Sequence, residues 1–241
     1  MLEATAGVTR RPAVRPHVSL LDVMPALSRA IGPDDHDAAR QAMVAPVLTY
    51  EAGGVPVTEI ARAVGHPAAL LLVDGLVLRR TRLSERAASE ILGRGDVLAV
   101  AGSEDSSSLG ASIEHSVYRR ATIAVLSDRF WHAARRWPPL HDMIHAQLAS
   151  QIGRASRNLA ILHLSRVDER LKAVFVDLAD RWGRVTVDGV VLDLELTHDL
   201  LGQLAGARRP TVSLALAELA TAGDVVRRDD GSWVLSSDLY D

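Results

Sequence analysis

Residues 204–223 read LAGARRPTVSLALAELATAG, and this stretch decides the fold. Val212, Leu216 and Leu219 recur at the spacing of one helical face. Arg208, Arg209 and Pro210 stand directly before that run, and Thr211 and Ser213 place small hydroxyls in its first turn. Proline costs little there, because the first N–H groups of a helix have no intrahelical acceptor. Upstream, LTHDLLGQLAG (196–206) predicts another helix, opened by Thr197 as N-cap and followed by a turn at Gly206. Leu200, Leu204 and Ala205 are the expected partners of Val212, Leu216 and Leu219. The apolar residues are thereby used between the two helices, and Arg209, Thr211 and Ser213 face outward.

A bare αα-hairpin with solvated arginines shares this local pattern, so the flanks decide. VDERLKAVFVDLADRWG (167–183) predicts an amphipathic helix ending on Gly183 as a C-cap. RVTVDGVVLDLEL (184–196) reads as a hairpin around Asp188-Gly189, and DVVRRDDGSWVLSS (224–237) as a second around Asp230-Gly231. Helix, hairpin, helix, turn, helix, hairpin is the order of a winged helix-turn-helix. In such a unit the second helix enters the major groove with its N-terminal residues at the base edges. Arg209 can pair with guanine O6 and N7, and short hydroxyls suit phosphates or a thymine methyl. The expected DNA-binding residues are Arg208, Arg209, Thr211, Ser213 and Thr197, with Arg227 and Arg228 on the wing as phosphate contacts.

Before this unit lies a narrow seam. Leu140, Ile144, Leu148, Ile152, Ala155, Leu159 and Leu162 step by three or four residues after Trp137-Pro138-Pro139. A helix packed on a core usually shows a wider apolar stripe, so the seam predicts a homodimer interface. Earlier still, the chain reads as helical from Leu20 to about Met43, with a break at Pro25. A β-like region follows. ALLLVDGLVLRR (69–80) predicts a hairpin at Asp74-Gly75, ILGRGDVLAVAG (91–102) a turn between short strands, and YRRATIAVLS (118–127) another strand. Short strands at this spacing suggest a barrel or sandwich. GSEDSSSLGAS (102–112) reads as a loop.

On these motifs the chain resembles the Crp/Fnr transcription regulators, most closely over residues 167–237. The resemblance implies an α+β protein with an N-terminal, jelly-roll-like β-roll of the cyclic-nucleotide-binding kind, a long dimerisation helix and a C-terminal winged helix-turn-helix. The expected divisions are a flexible arm (1–16), the sensor β-roll (17–136), the dimerisation helix (137–166) and the DNA-binding domain (167–241). By resemblance Arg209 is the guanine-reading arginine, and RNA polymerase joins DNA and a second copy of the chain as partners. Pro210 and Leu214 stand where better-known members carry charged contacts, so no operator preference carries over. Nucleotide-binding members use a Gly-Glu pair and, after a short spacer, an arginine before Ser/Thr-Ala. Here Ser103-Glu104 lacks that glycine, and Arg120-Ala121-Thr122 comes too late. Cyclic AMP is therefore not expected as a tight effector, and the small-molecule effector, if one exists, is another compound.

Composition bounds the rest. The absence of cysteine excludes disulfides, thiolate catalysis and cysteine-held iron–sulfur clusters. No apolar run reaches the roughly 20 residues of a membrane helix, and the N-terminus has no signal-like core, so a cytoplasmic protein without membrane contact is expected. The formal net charge is −3, which argues against a generally adhesive nucleic-acid binder. Residues 119–166 hold eight arginines against two aspartates, whereas residues 167–241 hold eight Lys/Arg against fourteen Asp/Glu. This acidic C-terminal balance favours the alternative of a β-roll ligand-binding module with a helical partner-docking tail. HDMIH (141–145) mimics the zinc-protease pattern, but Ile144 belongs to the seam and no third ligand follows. His66 and His115 alone in the strand region do not make a cupin-like metal site. No cofactor, metal or catalytic residue is expected.

Overall fold

The computed structural model describes residues 16–55, 60, 69–84, 86–98, 110–118 and 120–240. The expected arm up to residue 15, the Ser103-Glu104 segment and His66 lie outside these residues. The chain is α+β and divides into two compact units, residues 1–86 with 91–152, and residues 87–90 with 153–241.

The first unit opens with β1 (His17–Ser19) and three short helices, α1 (Leu20–Val23), α2 (Pro25–Ala30) and α3 (His36–Ala42). The strands are β2 (Val44–Tyr50), β3 (Gly53–Gly54), β4 (Ala69–Asp74), β5 (Val77–Leu83), β6 (Arg86–Leu92), β7 (Val97–Leu98), β8 (Ser112–Val117) and β9 (Ala121–Leu126). They form two sheets, ordered β1-β2-β9-β4-β7 and β3-β8-β5-β6. Along β4, Leu70 and Leu72 join one buried cluster while Leu71 and Val73 join another. Ile123 and Val125 on β9 alternate with Ala124 and Leu126 in the same way. A strand buried on both faces reads as a continuous apolar run, as these do. Two further helices follow, α4 (Asp128–Ala134) and α5 (Pro138–His163). The Ser127 hydroxyl caps α4 by accepting the Phe130 N–H.

The Asp74-Gly75 turn is a corner rather than the expected hairpin, because β4 and β5 lie in different sheets. The β4–β9 register shifts between Leu72 and Asp74, and the chain then leaves the sheet. Gly75 has φ +87°, and a Cβ there would sit 2.2 Å from the Arg120 carbonyl oxygen. Glycine is required at this corner for the close approach as well as for the dihedral. β8 carries only two apolar residues, Ile113 and Val117, and half of it is exposed, so it gave little strand signal in the sequence.

In the second unit, α6 (Val167–Trp182) leads into β10 (Gly183–Thr186) and β11 (Gly189–Leu192). Then come α7 (His198–Ala205), α8 (Arg209–Ala222), β12 (Val225–Arg227) and β13 (Trp233–Leu235). The two expected hairpins merge into one sheet, β10-β11-β13-β12, because Val190, Val191 and Leu192 pair with Leu235, Val234 and Trp233. Phe175 of α6 packs on Trp233 with ring centroids 5.0 Å apart. Gly183 is extended, at φ −73°, not the left-handed residue that commonly closes a helix. Its glycine is explained by space: a Cβ would meet the Ala179 carbonyl oxygen at 2.4 Å and Val190 Cγ1 at 2.6 Å.

Candidate nucleic-acid interface

The α7–turn–α8 segment is built as a rigid pair. The Thr197 hydroxyl accepts the Leu200 N–H at 3.2 Å, and Gly206 closes α7 at φ +59°, a conformation open to glycine at little cost. The Ala207 N–H returns to the Gly202 carbonyl at 2.8 Å, and a Cβ on Gly202 would come within 2.6 Å of the Ala207 oxygen. Leu200, Leu201 and Ala205 of α7 are buried, as are Val212, Ala215, Leu216 and Leu219 of α8. Leu204, expected among them, is only half-buried, and Leu201 is buried in full.

The first turn of α8 therefore projects with its polar residues free of the core. Arg208, Arg209 and Thr211 are all exposed. Arg208 is the N-cap and makes no side-chain capping bond, and Pro210 falls within the first two helical positions. The Arg209 guanidinium is 4.0 Å from the Asp199 carboxylate, with both side chains about two-thirds exposed. Such a pair holds an arginine weakly and releases it readily to a stronger acceptor.

Ser213 is placed differently. Its hydroxyl donates to the Arg209 carbonyl at 3.1 Å and contacts His198 Nδ1 at 2.8 Å. With the hydroxyl proton used on the carbonyl, Nδ1 is the donor to Ser213 Oγ, and the ring is fixed against the start of α8. His198 is the residue that sequence reasoning missed at this site. The contact joins positions 15 residues apart, which no local spacing reveals.

The wing arginines also have partners. Arg228 Nη2 donates to Asp188 at 2.9 Å and so ties the tips of the two hairpins. Arg227 lies over the Trp233 ring at 5.5 Å from its centroid. The turn that follows them is set by Asp230, whose carboxylate accepts from the Ser232 hydroxyl and N–H at 2.6 and 2.9 Å. Those bonds hold Asp230 below the usual carboxylate range.

The seam on α5 is split. Leu140 and Ile144 are buried in the core of the first unit, which corrects their reading as part of one continuous exposed seam. Leu148, Ile152 and Leu159 are exposed, Ile152 by 69% and Leu159 by 61%. Ala155 and Leu162 are half-buried, and Leu162 lies against Gly206. His141 of the HDMIH stretch is stacked on Trp131, with ring centroids 5.2 Å apart. Among the described residues no three His, Asp or Glu side chains gather as a metal site, and no helix is long and apolar enough to cross a membrane.

Residues 169–237 match the Crp-like helix-turn-helix domain. The chain is 34% identical over 110 residues to the CRP-like cAMP-activated global transcriptional regulator of Mycobacterium tuberculosis, covering 46% of this chain and 47% of that one. It is 31% identical over 88 residues to the regulatory protein CysR of Synechococcus elongatus, covering 35% and 43%. The chain thus spans about half the length, or less, of the curated relatives it matches. Its fold is similar to a cyclic nucleotide-binding domain containing protein from Listeria monocytogenes, with TM-score 0.66, 15% identity and coverage of 91% and 98%. It is also similar to a mutant of CooA from Carboxydothermus hydrogenoformans, with TM-score 0.64, 17% identity and coverage of 80% and 85%. Residues 169–237 thus form a Crp-like helix-turn-helix domain, and the fold of the chain is similar to that of these solved proteins.

Proposed function

We propose that this chain is a homodimeric, sequence-specific DNA-binding transcription regulator that acts in the cytoplasm on a two-fold symmetric site and catalyses no reaction. The observation that carries the reading is the first turn of α8, where Arg208, Arg209 and Thr211 are exposed while Val212, Leu216 and Leu219 are buried. Arg209 reads guanine, and Arg208, Thr211 and Thr197 hold phosphates. Ser213 acts indirectly, by fixing His198. Arg227 and Arg228 meet the backbone from the wing, Arg228 by exchanging Asp188 for a phosphate. Dimerisation uses Leu148, Ile152, Ala155 and Leu159 of α5, with Leu162 at its end. Two such recognition helices read half-sites about 34 Å apart. RNA polymerase is the further partner, and cyclic AMP is not a tight effector. Without the Gly-Glu pair and the spaced arginine, a cyclic phosphate lacks a partner to offset its desolvation.

The test is selection of bound sites from random duplex DNA by the full chain, followed by binding titrations at two salt concentrations. Enrichment of an inverted repeat, bound far more tightly than unrelated DNA, supports the proposal. No enrichment, with equal weak binding to all duplexes, overturns it in favour of a ligand-binding module that docks another protein.

A further inference from the structure

Of the HDMIH stretch, His141 is stacked on Trp131 and Ile144 is buried, which leaves Asp142 and His145 exposed on α5. Neither has a hydrogen-bond or ion-pair partner among the described residues. From Asp142, steps of 3, 4, 3, 4 and 3 lead to His145, Ala149, Ile152, Ser156 and Leu159, and all six are exposed. That alternation is the a and d phase of a heptad, and the buried Leu140 and Ile144 lie outside it. In a parallel two-fold pair of helices, each a or d residue meets its own copy across the axis. A dimer formed through Ile152 and Leu159 therefore carries Asp142 and His145 against a second Asp142 and a second His145.

Two carboxylates then face each other at the head of the seam. From Pro138 to Ile152 the helix has no Lys or Arg, and Asp142 is its only acid, so α5 supplies no cation to offset their repulsion there. The imidazoles one turn on supply nitrogen donors. An acid and a histidine at i and i+3 sit about 5–6 Å apart on one helical face. The same acid-x-x-His spacing holds metal ions inside helix bundles. One chain offers an oxygen and a nitrogen, whereas two chains complete the four donors of a closed tetrahedral site.

We propose that Asp142 and His145 of two copies together bind one divalent ion of the zinc class on the dimer axis, and that this ion tightens the homodimer. The inference rests on the homodimer reading above and adds a ligand to it. The site is incomplete in one chain, so affinity for the metal and affinity for the second copy rise together. A set of imidazole nitrogens and carboxylate oxygens suits zinc, whereas magnesium takes oxygen ligands in an octahedron.

The test uses the full chain, stripped of metal with EDTA and then titrated with zinc chloride at neutral pH. Calorimetry shows one zinc bound per two chains. In sedimentation equilibrium the dimer dissociation constant falls about 100-fold once free zinc is roughly 100 times its own dissociation constant. Magnesium leaves that constant unchanged. His145→Ala loses the zinc response while its metal-free dimer persists. Asp142→Asn also loses it and, with the repulsion removed, dimerises more tightly than wild type in EDTA. Zinc bound equally well by His145→Ala, or a wild-type dimer that zinc does not tighten, overturns the site although the dimer reading stands. A wild type that is monomeric both with and without zinc overturns both.

Discussion

Arg154 of α5 and Glu90 of β6 form an ion pair with Nε and Oε1 3.3 Å apart and side chains only 6% and 10% exposed. At that depth neither group can recover water when the other is removed. Arg154→Met removes the cation that faces this buried carboxylate, at a cost of about 3–5 kcal/mol. For a chain of 241 residues each kcal/mol lowers the melting temperature by about 2–4 °C, so the loss should be roughly 6–20 °C. Glu90→Leu should also destabilise, by removing the buried carboxylate that faces the guanidinium. The double variant Arg154→Met/Glu90→Leu should recover most of the loss, because a packed apolar pair is often as stable as a buried ionic one. Differential scanning calorimetry of the four proteins closes this cycle. A single variant within about 2 °C of wild type would contradict a dry, tightly coupled pair.

His115 is held neutral, its pKa lowered to about 4 by burial and then by the Arg79 charge beside it. The unfolded chain takes up this proton near pH 6.5 while the folded chain does not, so stability should fall as pH drops from about 6.5 towards 4. The contribution is on the order of 3 kcal/mol, and His115→Gln should flatten that part of the profile in urea titrations; an unchanged profile counts against the assignment. Ile152→Asp should convert the dimer to monomer in sedimentation velocity, and a wild type that is monomeric at micromolar concentration contradicts the interface. Gly206→Ala and Gly223→Ala both place a side chain at positive φ, +59° and +79°, which costs about 1–2 kcal/mol each. Only Gly206 also meets a neighbour, Leu162 Cδ2 at 2.8 Å, so it should be the more destabilising; equal losses would show that Leu162 moves aside freely.

The winged helix-turn-helix was legible because its signals are local. Val212, Leu216 and Leu219 mark one helical face, Thr197 caps, and the three glycines 189, 206 and 231 all adopt positive φ where turns were expected. What was not legible depends on distant pairing. An Asp-Gly dipeptide fits a hairpin or a corner equally, and only the pairing of β4 with β9 makes Gly75 a corner. The spacing of Leu140 to Leu162 defines a helical stripe but not what covers it, so Leu140 and Ile144 could not be told from Ile152 until the first unit's core was assembled. At the interface, outward-facing polar residues were found from helical phase. Their partners were not: Asp188 lies 40 positions from Arg228, and His198 lies 15 from Ser213.

If α8 reads DNA sequence through Arg209, loss of that side chain changes discrimination as well as affinity. The most direct measurement is a titration of wild type and Arg209→Ala against the selected duplex and a version changed at the guanine of each half-site, across a salt series. Arg209→Ala should lose about 1–3 kcal/mol per half-site on the selected duplex and lose its discrimination against the altered base. It should bind the altered duplex nearly as wild type does. An equal loss on both duplexes, with a smaller salt slope, would make Arg209 a phosphate clamp and not a base reader.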